Sequence, residues 1–159
     1  MNIFRRAGAK VMPPQDCARM MREAGEGFRW VTTNGCFDLL HAGHITSLEA
    51  ARALGDGLVV GLNSDASVRA LKGPSRPVIG QADRALVLAA LECVDAVVIF
   101  DEENPLALLE VLRPQVHAKG GDYIAAQLPE YPLVRSWGGE VEILPMLEGR
   151  STSSILSRL

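Results

Sequence analysis

The sequence predicts an α/β protein: a doubly wound, Rossmann-like parallel sheet of about five strands with helices on both faces. Short apolar stretches alternate with longer helical patterns along the chain, and such alternation builds right-handed crossovers and a parallel sheet. The run Gly57-Leu58-Val59-Val60-Gly61-Leu62 is apolar without interruption, as a strand covered by helices on both faces requires. At 159 residues the chain suffices for one domain whose core needs no disulfides.

Residues 1–27 read as an N-terminal tail and helix, and residues 28–159 as the main body of that single domain. Pro13-Pro14-Gln15-Asp16 opens an amphipathic helix carrying Cys17, Met20 and Met21, which runs to about Ala24 and stops at Gly25 and Gly27. Phe28 to Thr33 is the first strand. Ala42 to Leu54 is the next helix, with Ile45, Leu48, Ala51 and Leu54 spaced to face a sheet and Gly55 closing it. After the Gly57–Leu62 strand, Asn63 to Gly80 reads as a long polar loop containing Arg69, Lys72 and Arg76 among Gly73, Pro74 and Pro77. Helix Gln81–Glu92, strand Val94–Phe100, helix Pro105–Leu112 and short strand Val116–Ala118 follow. Tyr131–Trp137 is helical, Val141–Leu144 a strand and Ser151–Leu159 a terminal helix. The loops holding His41, Asn63, Lys119 and Glu148 all follow strands, so they gather at one edge of the sheet, where such folds bind ligands. Internal repeats and low-complexity segments are absent from the sequence.

Net charge is −3, which offers no basic footprint for nucleic acid. No apolar run approaches the roughly 20 residues of a membrane span. Met1-Asn2-Ile3-Phe4-Arg5-Arg6 lacks the apolar core of a secretory signal. Cys17, Cys36 and Cys93 show no Cys-x-x-Cys spacing, which suits a reduced, cytoplasmic protein.

The most informative segment is Thr32-Thr33-Asn34-Gly35-Cys36-Phe37-Asp38-Leu39-Leu40-His41-Ala42-Gly43-His44. A strand feeding a helix start offers free backbone N–H groups and the positive end of a dipole, which attract phosphate. His41 and His44, three apart, share one helix face and can address one ligand. Gly43 between them leaves room for the close approach of a nucleotide.

Other phosphate-handling motifs are missing. No Gly-x-Gly-x-x-Gly follows the first strand, and no P-loop or Gly-x-Ser-x-Gly elbow exists. A zinc site built on the two histidines lacks an evident third and fourth ligand, so no metal is assigned to protein side chains. Lys72 lies in the polar segment as a candidate phosphate ligand. Lys119-Gly120-Gly121-Asp122 joins a lysine, two permissive glycines and a carboxylate after a short strand, a set suited to a nucleotide. Gly149-Arg150-Ser151-Thr152-Ser153-Ser154 opens the last helix, where a hydroxyl N-cap and Arg150 make a second anion site.

Asn34 to His44 resembles the His-x-Gly-His motif of the cytidylyltransferase-like nucleotidyltransferases, and Gly149 to Ile155 resembles their C-terminal Ser/Thr-rich phosphate motif. Leu62-Asn63-Ser64-Asp65, Leu71-Lys72-Gly73 and above all Lys119-Gly120-Gly121-Asp122-Tyr123 are similar to one branch, the D-glycero-β-D-manno-heptose 1-phosphate adenylyltransferases. Ser47 departs from the pattern, standing where relatives often carry an aromatic or longer residue. Many relatives are fused behind a sugar-kinase domain that this sequence lacks, which implies a separate heptose kinase and phosphatase upstream.

The resemblance implies transfer of the adenylyl group of ATP to heptose 1-phosphate, giving ADP-heptose and pyrophosphate. His41, His44 and Lys72 are the implied catalytic residues. Asn34, Gly35, Cys36, Phe37, Gly43, Lys119, Gly120, Asp122, Arg150, Ser151, Thr152 and Ser153 are implied for ATP and its phosphates, and Asp38, Asn63, Asp65 and Arg76 for the sugar phosphate, with Asp38 either reaching the sugar or fixing the turn. Mg²⁺ would accompany the ATP. A homodimer is permitted by the apolar edges. A cytidylyltransferase for glycerol 3-phosphate or another small phosphate, and a non-enzymatic nucleotide-binding module, stand as alternatives.

Overall fold

A computed structural model describes residues 6–146 and 149–159. The start of the N-terminal tail and the Glu148 loop position lie outside the described residues. Chain order is α1 (Pro14–Glu23), β1 (Trp30–Gly35), α2 (Ala42–Arg52), β2 (Gly57–Asn63), α3 (Asp65–Lys72), α4 (Gln81–Ala89), β3 (Ala96–Phe100), α5 (Leu106–Leu112), β4 (Val116–Gly120), α6 (Glu130–Ser136), β5 (Glu140–Leu144) and α7 (Thr152–Leu156). The five strands are all parallel, in the order β3-β2-β1-β4-β5.

Period-two alternation distributes the strand side chains to two cores. In β2, Leu58, Val60 and Leu62 enter a cluster with Leu48 and Ala51 of α2 and Ala85 and Leu88 of α4. Val59 turns to the opposite face, where it meets Cys17 and Met21 of α1 and Leu108 and Leu112 of α5. Helix α1 therefore belongs to the same packed body as the sheet, and the Trp30 indole N–H donates to the Met21 carbonyl at 3.1 Å. Helix α6 covers β5 through Val134 and Val141.

The sheet also makes the opening that matters. From β1 the chain winds outward through β2 and β3, then returns to add β4 on the other side of β1. Pairing between β1 and β4 comprises only Val31 with Val116 and Thr32 with His117, whereas β1–β2 pairing continues to Gly35 and β4–β5 pairing to Gly120. Beyond Thr32 the carboxyl ends of β1 and β4 are unpaired with each other. This is the topological switch point, where doubly wound sheets hold ligands.

The segment read as one long loop, Asn63–Gly80, is corrected by the structure. Asn63 ends β2, and Asp65–Lys72 is a helix capped by Ser64, whose hydroxyl accepts the Ser67 N–H at 3.2 Å. Gly73 ends it at φ 103°, backbone that favours glycine. A helix that buries only Ser67 and Val68 carries little apolar periodicity to detect. The terminal helix is also shorter than its apolar pattern suggested, ending at Leu156. Among the described residues no helix is long and apolar enough to cross a membrane.

Candidate active site

At the end of β1, the chain turns through Phe37, whose φ of 45° is a left-handed conformation that bulky residues rarely adopt. Its ring folds back over the strand end. A side chain at Gly35 would place its Cβ 2.9 Å from that ring, so any larger residue there must displace Phe37. The same ring lies 5.2 Å from that of His44.

His41 is the N-cap of α2. Its Nδ1 accepts the Gly43 N–H at 3.1 Å, and His44 Nδ1 accepts the His41 N–H at 3.3 Å. The two imidazoles thus cap the helix reciprocally, as hydroxyl and carboxylate do in a capping box. An Nδ1 that accepts carries no proton, so each neutral ring carries its hydrogen on Nε2. The rings stack with centroids 3.8 Å apart, too close for two cations. Burial, then the charge of Arg150, holds His41 below the ordinary histidine value. Burial, then His41 and Lys72, pushes His44 down to about 4. The pair offers neutral Nε2–H donors throughout the physiological range.

Two parts of the sequence reading change here. The Gly43 N–H is taken by His41 Nδ1, and the His44 N–H reaches the His41 carbonyl at 3.0 Å, so the donors at this helix start are imidazoles more than backbone amides. Gly43 answers to protein neighbours: a Cβ there would sit 2.9 Å from the His41 ring and 3.1 Å from Arg150 Cβ. Its bareness lets the start of α7 pack against the histidine turn. The Thr152 hydroxyl strengthens that junction by donating to the Leu39 carbonyl at 3.3 Å.

These elements enclose a cleft of about 310 Å³ at the switch point. Of the anticipated residues, it gathers Asn34, Gly35, Cys36, Phe37, His41, Gly43, His44, Lys72, Gly120, Arg150, Ser151, Thr152 and Ser153. Thr33, Ser47, Leu48, Leu144 and Met146 complete the wall. Lys72 stands at the last turn of α3 and Arg150 just before α7. Asn34 Oδ1 is buried with no protein partner among the described residues, an acceptor left for whatever fills the cleft. No carboxylate lines the wall among the described residues. Two cations, two neutral ring donors and a cluster of hydroxyls, without an opposing acid, are arranged for a polyanion.

The remaining anticipated residues lie outside the cleft. Asp38 is 2% exposed and accepts from Arg76 Nε at 2.5 Å and from the Val78 and Ile79 N–H groups at 2.8 and 3.1 Å. Burial alone would raise its pKa, but those hydrogen bonds outweigh it and hold the carboxyl below the usual range. Arg76 Nε is thereby held by Asp38, while its Nη2 is buried with no partner among the described residues. The Asn63 amide donates to Ser67 Oγ at 2.9 Å, and Asp65 pairs with Arg84 at 2.7 Å. Lys119 binds Glu130, a carboxylate on α6 that is 1% exposed, at 2.5 Å. Its ammonium also lies 5.8 Å from the Tyr123 ring. Asp122 lines a shallow groove that shares Leu144 and Met146 with the cleft.

Sequence reasoning missed Arg84, Glu130, His117 and the wall position of Ser47. Arg84 had a signal: it shares the buried face of α4 with Ala85 and Leu88, a place where a charge must be paired. His117 is fully buried, its Nδ1 2.8 Å from the Thr32 hydroxyl.

Comparison with known proteins places the chain in a family. The cytidylyltransferase-like family model matches residues 32–155. A protein of Methylobacillus flagellatus named Bifunctional protein HldE is 58% identical over 142 residues, which are 89% of this chain and 29% of that protein. A protein of the same name from Geotalea uraniireducens is 57% identical over 137 residues, 86% of this chain and 28% of its own length. The chain thus spans less than a third of these relatives. Among solved structures, the lipopolysaccharide core biosynthesis protein of Thermoplasma volcanium aligns with a TM-score of 0.63 at 26% identity, covering 78% of this chain and all of that one. The pantoate-beta-alanine ligase of Francisella tularensis, at 13% identity, shares the fold with a TM-score of 0.59 over 94% of this chain and 72% of its own. With its histidine-capped switch-point cleft and a family match over most of its length, the chain belongs to the cytidylyltransferase-like family.

Proposed function

We propose that this protein transfers the adenylyl group of ATP to D-glycero-β-D-manno-heptose 1-phosphate, giving ADP-heptose and pyrophosphate. The observation that carries the reading is the cleft itself: neutral paired imidazole donors facing Lys72 and Arg150, with no carboxylate among its described lining residues. The choice of acceptor draws on the likeness of Lys119–Tyr123 to heptose 1-phosphate adenylyltransferases and on the high identity to the HldE relatives.

The nucleophile is a phosphate monoester oxygen, which with a second pKa near ~6 is already mostly anionic at neutral pH. It attacks the α-phosphorus, the bond to the bridging oxygen breaks, and pyrophosphate departs with the electron pair. No general base is required. The protein's task is to align two polyanions and meet the charge growing on the α-phosphoryl oxygens. His41 and His44 Nε2–H groups donate to the triphosphate and that transition state. Lys72 draws the acceptor phosphate towards the α-phosphate. Arg150 and the Ser151–Ser153 hydroxyls receive the departing β- and γ-phosphates, and Gly120 leaves the end of β4 open for the nucleoside. The cleft's donor set suits Mg²⁺ held mainly by the nucleotide's own phosphates and water, where it would supply charge neutralisation.

A pyrophosphate-release assay with ATP, CTP and GTP against a panel of sugar 1-phosphates tests the reading. Activity with ATP and heptose 1-phosphate is expected, and His44→Ala should lower kcat by about 10²–10³. Turnover of CTP with glycerol 3-phosphate but not of ATP would replace the heptose assignment. Undiminished turnover in folded His44→Ala would remove the histidines from catalysis.

A further inference from the structure

A polar frame behind one flank of the cleft connects residues otherwise distant in sequence. Arg84 is 2% exposed, yet its guanidinium donates to four groups: the Cys36 carbonyl at 2.6 Å, the Asn63 and Ile79 carbonyls at 2.8 Å, and Asp65 Oδ1 at 2.7 Å. One side chain thus joins the turn after β1, the end of β2, the first turn of α3 and the loop leading into α4. Asp38 grips that loop from the other side, so the two buried charges share Ile79: its N–H donates to Asp38 and its carbonyl accepts from Arg84. The Asp65 N–H adds a bond to the Gln81 side chain at 2.8 Å.

Helix α3 depends on this frame. Val68 is its one buried apolar side chain, so the helix is placed by polar anchors and hardly by apolar packing. Its last residue, Lys72, reaches the cleft, where its charge acts on both Cys36 and His44. Cys36 is also the residue whose carbonyl Arg84 holds. The anchors and the catalytic cation are therefore two ends of one short structural path.

We infer that Arg84 is a positioning residue that sets Lys72 against His44 by locking α3 to the turn after β1. The inference rests on the nucleotidyl-transfer reading of the cleft. The planar guanidinium is needed for its fork of donors, because an ammonium on a flexible stem has only three donors and no fixed plane with which to serve four acceptors. Asp38, Asn63 and Asp65, through their internal hydrogen bonds, then serve the site as its frame.

A double-mutant cycle between Arg84→Lys and Lys72→Ala tests this. Displacing a catalytic group by about 1 Å can cost about 10²-fold in rate, so Arg84→Lys should lower kcat by up to that factor. In the Lys72→Ala background the same substitution should cost nothing further. Calorimetric ATP affinity in the absence of acceptor should show the same pattern, with the double variant no weaker than Lys72→Ala. If Arg84→Lys does not fold, Asp65→Ala, which removes the α3 side chain that Arg84 holds, takes its place in the cycle. Multiplying losses in either readout would overturn the positioning role. A wild-type protein without turnover on any sugar phosphate, but with non-additive ATP binding, would defeat the proposed reaction and leave the Arg84 role standing.

Discussion

Lys72 and Lys119 both read from the sequence as lysines for a nucleotide, one in a polar segment and one in a Lys-Gly-Gly-Asp turn. The structure separates them. Lys72 ends an exposed helix and turns to a cleft whose described wall holds no acid. Lys119 is bound to Glu130, a carboxylate withdrawn from water on α6. Burial would raise the Glu130 pKa, but the Lys119 hydrogen bond and charge overcome this and hold it low. A cation facing a ligand site must be left without an internal partner, whereas a buried carboxylate cannot be left without one. Each lysine follows one of these two requirements.

Removing each cation sharpens the contrast. Lys119→Met strands the Glu130 charge, and breaking a buried pair from one side typically costs about 3–5 kcal/mol. Chemical denaturation should register that loss, and Lys119→Met combined with Glu130→Leu should recover most of it. A loss below about 1 kcal/mol would mean that Glu130 finds other solvation and that Lys119 is available to a ligand. Lys72→Ala should do the reverse: kcat should fall by about 10²–10³, as for the loss of one preorganised charge donor, with the unfolding midpoint nearly unchanged. A marked fall in stability without a fall in turnover would exchange the roles of the two lysines.

The histidines beside them repeat the contrast. His44, near Lys72, and His117, near Lys119, are each pushed down to about 4, burial being the largest cause in both. Their unfolded value is near 6.5, so between about 4 and 6.5 the unfolded chain binds more protons than the folded one. The stabilisation is therefore complete above about pH 6.5 and is lost as pH falls towards 4. Thermal midpoints measured across that interval should decline with acidification, and His117→Gln should flatten the decline. A midpoint independent of pH between 6.5 and 4 would show that these rings are not held neutral by the fold.

Much of the fold was readable because it depends on local pattern. The uninterrupted apolar run of β2 and the alternation of strands with helices required a doubly wound parallel sheet, and the paired histidines marked its ligand edge. Helix α3 escaped notice because its anchor, Arg84, comes from outside its own segment and it buries only Ser67 and Val68, so its periodicity was weak. Asp38 was read as fixing the turn or reaching the sugar, and Asn63, Asp65 and Arg76 were assigned to the sugar phosphate; in the sequence, polar residues beside a motif look alike whether they face a ligand or one another. Only the orientation of their side chains distinguishes the two.

Residue order alone established the strand–helix alternation, the place of His41 and His44 at a helix mouth and the hydroxyl-rich start of α7, since each is a matter of spacing along a few turns of chain. Tertiary structure decided which nitrogen of each imidazole keeps its hydrogen, which lysine is spent on an internal carboxylate and where β1 and β4 part. Those outcomes depend on burial and on partners from remote segments, because the cost of an unpaired buried charge is settled only when distant elements have packed around it.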